Sequence, residues 1–212
     1  MFRKKIYIAL ATFCIIVGAI FFFYDNTIII TNNKNVSTQK FGLIDGDLSY
    51  VHKNVINMGE ISVEKSKRES HGDSILEFLQ RWRPSFSFYY YDSEESGIIS
   101  SESLIEGLEW MIKNDVKYVS ISYSGKYESK KLENWIDKHS DEITIYASYN
   151  NYINTLDYPA MYKKVIGVGC NVTKKRDVSI RNNKLIVCDG SSFFSYEGNS
   201  YMTPYIMIKD QE

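Results

Sequence analysis

What most restricts the fold of this chain is an alternation. Apolar runs of strand length recur between segments whose apolar residues return at helical spacing. The runs are FGLID at 41–45, SFSFYYY at 85–91, YVSISY at 118–123, ITIYAS at 143–148, VIGVG at 165–169 and LIVC at 185–188. Between them, SLIEGLEWMI sets Leu104, Ile105, Leu108, Met111 and Ile112 at helical period, and KKLENWIDKH sets Leu132, Trp135 and Ile136 at i, i+3 and i+4. Strands covered by helices on both faces are written as near-continuous apolar runs rather than as alternating ones. The pattern therefore predicts an α/β fold: a doubly wound, mostly parallel sheet with helices on both faces. In such sheets the chemistry collects where strands end and loops begin.

Composition narrows the class of partner. With 44% hydrophobic and 15% aromatic residues the 212-residue chain is a folding one. Its 25 basic and 26 acidic residues leave a net charge of -1, so it lacks the electrostatic footprint of a nucleic-acid binder. The N-terminus reads MFRKK and then an uncharged apolar run at 6–24. As a helix that run spans roughly 28 Å, about the hydrocarbon thickness of a bilayer. Arg3, Lys4 and Lys5 belong on the cytoplasmic side by the positive-inside rule. The expectation is a cytoplasmic N-terminus at 1–5, a transmembrane anchor at 6–24, a polar tether at 25–40 and one domain at 41–212. That is a single-pass protein of the cell membrane with its domain on the extracytoplasmic side. A cleaved signal peptide is the rival reading, but its apolar stretch is about 7 to 15 residues and ends in a small-x-small site. This run ends in FFFYD, and Cys14 within it reads as an apolar filler.

Four residues at strand ends or helix starts carry possible chemistry. FGLIDGDL closes a strand on Asp45 and follows it with a glycine, which alone is a turn or capping aspartate. RESHGDSILEFLQRW sets His71 and Gly72 ahead of an amphipathic run; His52 and His139 have no such setting. YASYNNYI leaves Asn150 just past a strand, where asparagine is ordinarily turn chemistry. EGNSYMTPY flanks Ser200 with Gly198 and Pro204, which read as an abrupt helix start, glycine for the turn and proline in the opening turn. Together Asp45, His71, Asn150 and Ser200 supply an orienting acid, a base, an oxyanion donor and a nucleophile, a complete acyl-transfer set.

These segments resemble the subtilisin-like serine peptidases, the subtilases. FGLIDGDL is similar to the family's strand ending in the catalytic Asp, SHGDSI to its His-Gly helix start, and VKYVSISYSG to its substrate-binding strand. YASYN resembles its Ala-Ala-Gly-Asn oxyanion segment and GNSYMTPY its Gly-Thr-Ser-Met-Ala-Ser/Thr-Pro-His nucleophile motif. The most specific match is YPAMYKKVIGVGC at 158–170. The chain order Asp, His, Ser is the subtilisin order, and the resemblance runs from about 41 to 208.

The resemblance implies a serine endopeptidase acting on peptides or proteins without a cofactor. Ser200 is then the nucleophile, His71 the base, Asp45 its orienting acid and Asn150 the oxyanion donor. Ser122, Tyr123, Ser124 and Gly125, with Ala147, Ser148 and Tyr149, are the implied substrate-binding residues. The departures are specific. Asp73 follows Gly72 in place of Thr and Ser74 stands for a second histidine; Asn199, Met202 and Tyr205 replace Thr, Ala and His. Asp73 is expected to raise the pKa of His71 by its charge. Ser124 and Tyr149 stand where the family commonly has glycine, which predicts a narrowed pocket preferring Ala, Ser or Gly before the cleaved bond.

No loop has calcium-ligand spacing, so no metal is expected. The stretch from Asp25 to Phe41 has no room for a pro-domain, so the chain either folds unaided or with a protein partner. Cys170 and Cys188 each close an apolar strand, as buried thiols or as a disulfide. Two function classes follow: a membrane-anchored endopeptidase that trims exported peptides, and a catalytically weak or inactive subtilase fold kept for binding.

Overall fold

A computed structural model describes residues 39–58, 70–95, 98–151, 157–169, 177–181, 184–188 and 198–212, with Glu95 and the segments 177–181 and 184–188 described by their backbone alone. Ten strands and four helices are placed among them. The strands are β1 Phe41–Asp45, β2 Val55–Asn57, β3 Phe88–Asp92, β4 Glu94–Glu95, β5 Ile98–Ile99, β6 Tyr118–Ile121, β7 Thr144–Ser148, β8 Val165–Val168, β9 Asp177–Arg181 and β10 Lys184–Cys188. The helices are α1 His71–Trp82, α2 Ser101–Lys113, α3 Lys130–His139 and α4 Asn199–Lys209.

Eight strands form one sheet in the order β2-β3-β1-β6-β7-β8-β10-β9, while β4 and β5 pair separately. Every pairing in the large sheet is parallel except β10 with β9. The order reverses at β1, whose neighbours β3 and β6 leave it on opposite sides, and a crevice opens at the carboxyl end of such a switch point. Asp45 is the last residue of β1. The site is therefore placed by topology before any side chain is considered.

Side-chain alternation assigns the faces. Ile44 lies beside Ile121, and Ile121 beside Ala147. These residues share one core with Leu104, Leu108 and Met111 of α2 and Leu132 and Ile136 of α3. Leu43, Ser120 and Tyr146 lie in register on the opposite face. There Tyr146 reaches Asp210 at the C-terminal end of α4 at 3.2 Å, and Tyr90, beside Leu43, meets the start of α1. Helices thus cover both faces, as the uninterrupted apolar strands predict.

Three of the helices begin on serine. Ser70, Ser100 and Ser129 each accept from a backbone N–H in the first turn, and the first two complete reciprocal capping boxes with Asp73 and Ser103. The apolar run 6–24 lies outside the described residues; among those described, no helix is long and apolar enough to cross a membrane. Cys170 and the side chain of Cys188 also lie outside them.

Candidate active site

The site is assembled from strand ends and helix starts. Asp45, 5% exposed, has its backbone carbonyl held by Ser93, whose N–H and hydroxyl both donate to it at 2.9 Å. The Gly46 N–H donates to Asp45 Oδ1 at 2.7 Å, and the Tyr90 hydroxyl donates to the Gly46 carbonyl at 2.6 Å. These bonds hold the strand end that carries the carboxylate in place to receive a hydrogen bond from another element of the fold.

His71 supplies it. As the first residue of α1 it sets Nδ1 at 2.8 and 3.0 Å from the two Asp45 oxygens and Nε2 at 3.0 Å from Ser200 Oγ. The Asp45 hydrogen bond is the main cause of a pKa above the ordinary histidine range; burial works against it and the Asp45 charge adds to it. Asp73 has no part in that shift. Its carboxylate is buried and turned to the other side of α1, where it accepts from the N–H groups of Ser70 at 2.9 Å and Ser49 at 3.0 Å and pairs with His52 Nε2 at 2.8 Å. The expected direction is present, but its source is Asp45. The remaining histidines have other partners: His52 this buried aspartate, and His139 the surface Glu142 at 2.7 Å.

Gly72 is demanded by packing rather than by backbone angle. A Cβ there would lie 1.9 Å from the Tyr90 hydroxyl, the group that holds the loop after Asp45. Gly72→Ala is expected to destabilise the protein by about 1–3 kcal/mol through overpacking and to lower activity by displacing Tyr90. Adding Tyr90→Phe should restore part of the lost Tm. A Gly72→Ala protein that melts with the wild type would refute the steric account.

Ser200 is the second residue of α4, and Gly198 caps the helix with φ of 121°, a conformation that side chains rarely adopt. Its N–H is one of those that a helix start leaves without an intrahelical partner. Pro204 does not lie in the opening turn as the spelling suggests; it is five residues past Asn199, inside the helix. Its missing N–H is the one that would have bonded the Ser200 carbonyl. That carbonyl is instead reached by the Ser122 hydroxyl at 3.4 Å, from the end of β6. Proline here frees an acceptor that ties the turn carrying Ser200 to the sheet.

Asn150 follows β7 at the same end of the sheet and is half-buried, with its N–H donating to Asp157 Oδ2 at 2.9 Å. Of the implied substrate-binding residues, Ser122, Tyr123, Ser124 and Gly125 are half-buried beyond β6, and Gly125 forms a two-bond bridge with Tyr158 at 2.7 and 2.8 Å. Ala147 and Ser148 are buried within β7. Tyr149 swings its ring across Gly167, where a Cβ would meet it at 2.4 Å, and its hydroxyl lies 3.3 Å from the Ala160 carbonyl and the Met161 sulfur. The phenol thus fills the space over Gly167, beside Ala160 and Met161.

Tyr201 and Tyr205, both on α4, make the helix–helix contact. Tyr201 lies 5.9 Å from the His71 ring and edge-on to Phe78, and Tyr205 is 4.6 Å from Trp82. The tyrosine that replaces the family's histidine thus packs α4 on α1.

No family model matches the chain. It is 29% identical over 144 residues to subtilisin E of Bacillus subtilis, a match that takes in 58% of this chain and 37% of that protein, so the chain spans under half the length of this relative. Among solved structures it is similar to the prenylagaramide maturation protease PagA, at 15% identity with a TM-score of 0.56 over 84% of this chain and 78% of that one. It is also similar to a serine-to-alanine mutant of the protease domain of PatA, at 12% identity with a TM-score of 0.59 over 81% and 77%. In sequence the chain is similar to the subtilisins over 58% of its length, and its fold is that of the subtilisin-like proteases.

Proposed function

We propose that the protein is a serine endopeptidase whose Ser200 hydroxyl attacks the scissile carbonyl while His71 Nε2 takes its proton. The observation that carries this reading is the single imidazole that spans Asp45 at 2.8 Å and Ser200 Oγ at 3.0 Å. Asp45 accepts a hydrogen bond from Nδ1–H, which leaves Nε2 as the acceptor and steadies the imidazolium that forms. The oxyanion forms near the first turn of α4, where the Ser200 N–H and the dipole of the helix favour negative charge, and Asn150 donates from the facing segment. His71 returns the proton to the leaving amine, and a water activated in the same way releases the acyl group.

Peptides or proteins are the substrate class, and trimming of exported peptides fits the rest of the chain. The apolar run 6–24 anchors the domain in the cell membrane as a single span, with Arg3, Lys4 and Lys5 inside and the peptidase domain outside. A fold kept only for binding has no physical need of an acid, a base and a hydroxyl held in line. A fluorophosphonate probe tests the proposal: it should label the wild type and leave Ser200→Ala unlabelled. A wild type that resists the probe supports the binding-protein alternative instead.

A further inference from the structure

We infer that Asn199 is a positioning residue that aims the oxyanion donor Asn150; the inference deepens the hydrolase reading and rests on it. Asn199 is 2% exposed, and its Nδ2 donates to two successive carbonyls, those of Tyr149 and Asn150, at 2.9 Å each. Its backbone N–H donates to Asn151 Oδ1 at 2.9 Å, and its carbonyl accepts from the Thr203 hydroxyl at 2.7 Å. One residue, through its side chain and its backbone N–H, thus ties three consecutive residues of the segment after β7 to the helix that carries Ser200.

The far side of the same segment is held as well. The Asn150 N–H donates to buried Asp157, and the Tyr149 N–H donates to the Val168 carbonyl of β8 at 2.8 Å. The peptide groups on both sides of Asn150 are thus fixed. A primary amide is the group such a joint needs. Its two N–H bonds serve two carbonyls in one plane, whereas the threonine that the resemblance places here has a single hydroxyl proton to give. Asn199 touches no reacting atom in this arrangement; it acts through the placement of Asn150.

The experiment measures fluorophosphonate labelling of the full chain, whose transition state also places negative charge in the oxyanion site. Asn150→Ala is expected to slow the maximal labelling rate by about 10² to 10³, the loss that follows from deleting a side-chain oxyanion donor. Asn199→Ala is expected to slow it by up to about 10² with the probe's half-saturation concentration unchanged, the scale of an ångström-sized misplacement. Asn199→Asp has the same shape but turns an acceptor toward the two carbonyls, so it should lose more than the alanine variant. The deciding comparison is the double variant: in the Asn150→Ala background Asn199→Ala should cost less than about threefold, because non-additivity is the mark of two residues acting as a unit. First-order rates are read on the reacting fraction, so a variant that folds in part still reports. The full Asn199 loss persisting without Asn150 would overturn the inference while leaving the hydrolase intact. A wild type that is never labelled would overturn both.

Discussion

Asp45→Asn should lower kcat by about 10⁴-fold with little change in fold, the scale seen when the acid of a Ser-His-Asp triad becomes an amide. The two Asp45 oxygens lie 2.8 and 3.0 Å from His71 Nδ1, close enough that the proton on that ring is held at Nδ1. An asparagine in the same place presents an amide N–H to Nδ1, which drives the proton to Nε2. The nitrogen facing Ser200 at 3.0 Å then has no lone pair with which to take the hydroxyl proton. Circular dichroism and melting would check the fold, and steady-state turnover on a peptide substrate would give the loss. A drop of less than tenfold would show that Asp45 does not set the tautomer.

The same contact sets a pH dependence. The proposed mechanism uses neutral His71, so kcat/KM should rise with pH through the histidine pKa of the free enzyme. The Asp45 hydrogen bond holds that pKa above the ordinary value despite burial, so the acidic limb should have its midpoint above the usual histidine value of about 6.5. In Asp45→Asn the hydrogen bond and the charge are gone and burial remains, so the residual activity should titrate at lower pH. Stability follows with the opposite sense. A folded pKa raised above the unfolded one means that the protonated pair stabilises the fold below the ordinary histidine range, and that this contribution is lost as pH climbs through the raised value. A Tm difference between wild type and Asp45→Asn should therefore narrow between mildly acidic and alkaline pH. A limb that stays at the same pH in both proteins would assign the shift to something other than Asp45.

Tyr149→Gly should widen the range of cleavable substrates. In the wild type the phenol reaches from the end of β7 across Gly167 to the Ala160 carbonyl, and the resemblance makes Tyr149 one of the residues that line the substrate pocket. A peptide side chain placed there meets a filled volume, so the residue before the cleaved bond should be Ala, Ser or Gly. Removing the ring opens space for an aromatic or branched side chain. Since a single methylene in such a pocket is worth roughly 10- to 200-fold, the preference for Phe or Leu over Ala should rise by on the order of 10²-fold or more. Profiling both proteins against one peptide library would measure it. Fast cleavage after Phe, Leu or Tyr by the wild type would show that the ring moves aside on binding.

Some of the site is local in origin and was therefore readable. Asp45 follows a five-residue apolar strand, and His71 follows the capping serine of an amphipathic helix. Gly198 stands where φ turns positive ahead of Ser200. Each of these depends on neighbours within a few residues, the range over which propensity and capping act. The misreadings are of another kind. Asp73 is one residue past Gly72 in the chain, yet helical geometry turns it to the far side of α1, toward His52 and Ser49. Pro204 reads as part of a helix start until the helix is seen to begin at Asn199. Asn199 was legible only as a departure from the family's spelling; its two carbonyl partners belong to a strand end 49 and 50 residues away.

From the order of its amino acids alone this chain already marks six of the eight strands of its large sheet and the side chains proposed as acid, base and hydroxyl, because apolar periodicity and cap residues act over a few positions; the short strand β2 and the hairpin strand β9 are not legible as apolar runs. It does not determine that those side chains meet. His71 is 26 residues from Asp45 and 129 from Ser200, and what joins them is the order β3-β1-β6-β7, which brings the ends of separate parallel strands to one edge. That order is chosen by which buried faces pack together, a property of the whole core and of no single segment. The aim of each side chain was decided in the same way, by Tyr90 behind Gly46, Ser122 on the Ser200 carbonyl and Asn199 across the segment that carries Asn150.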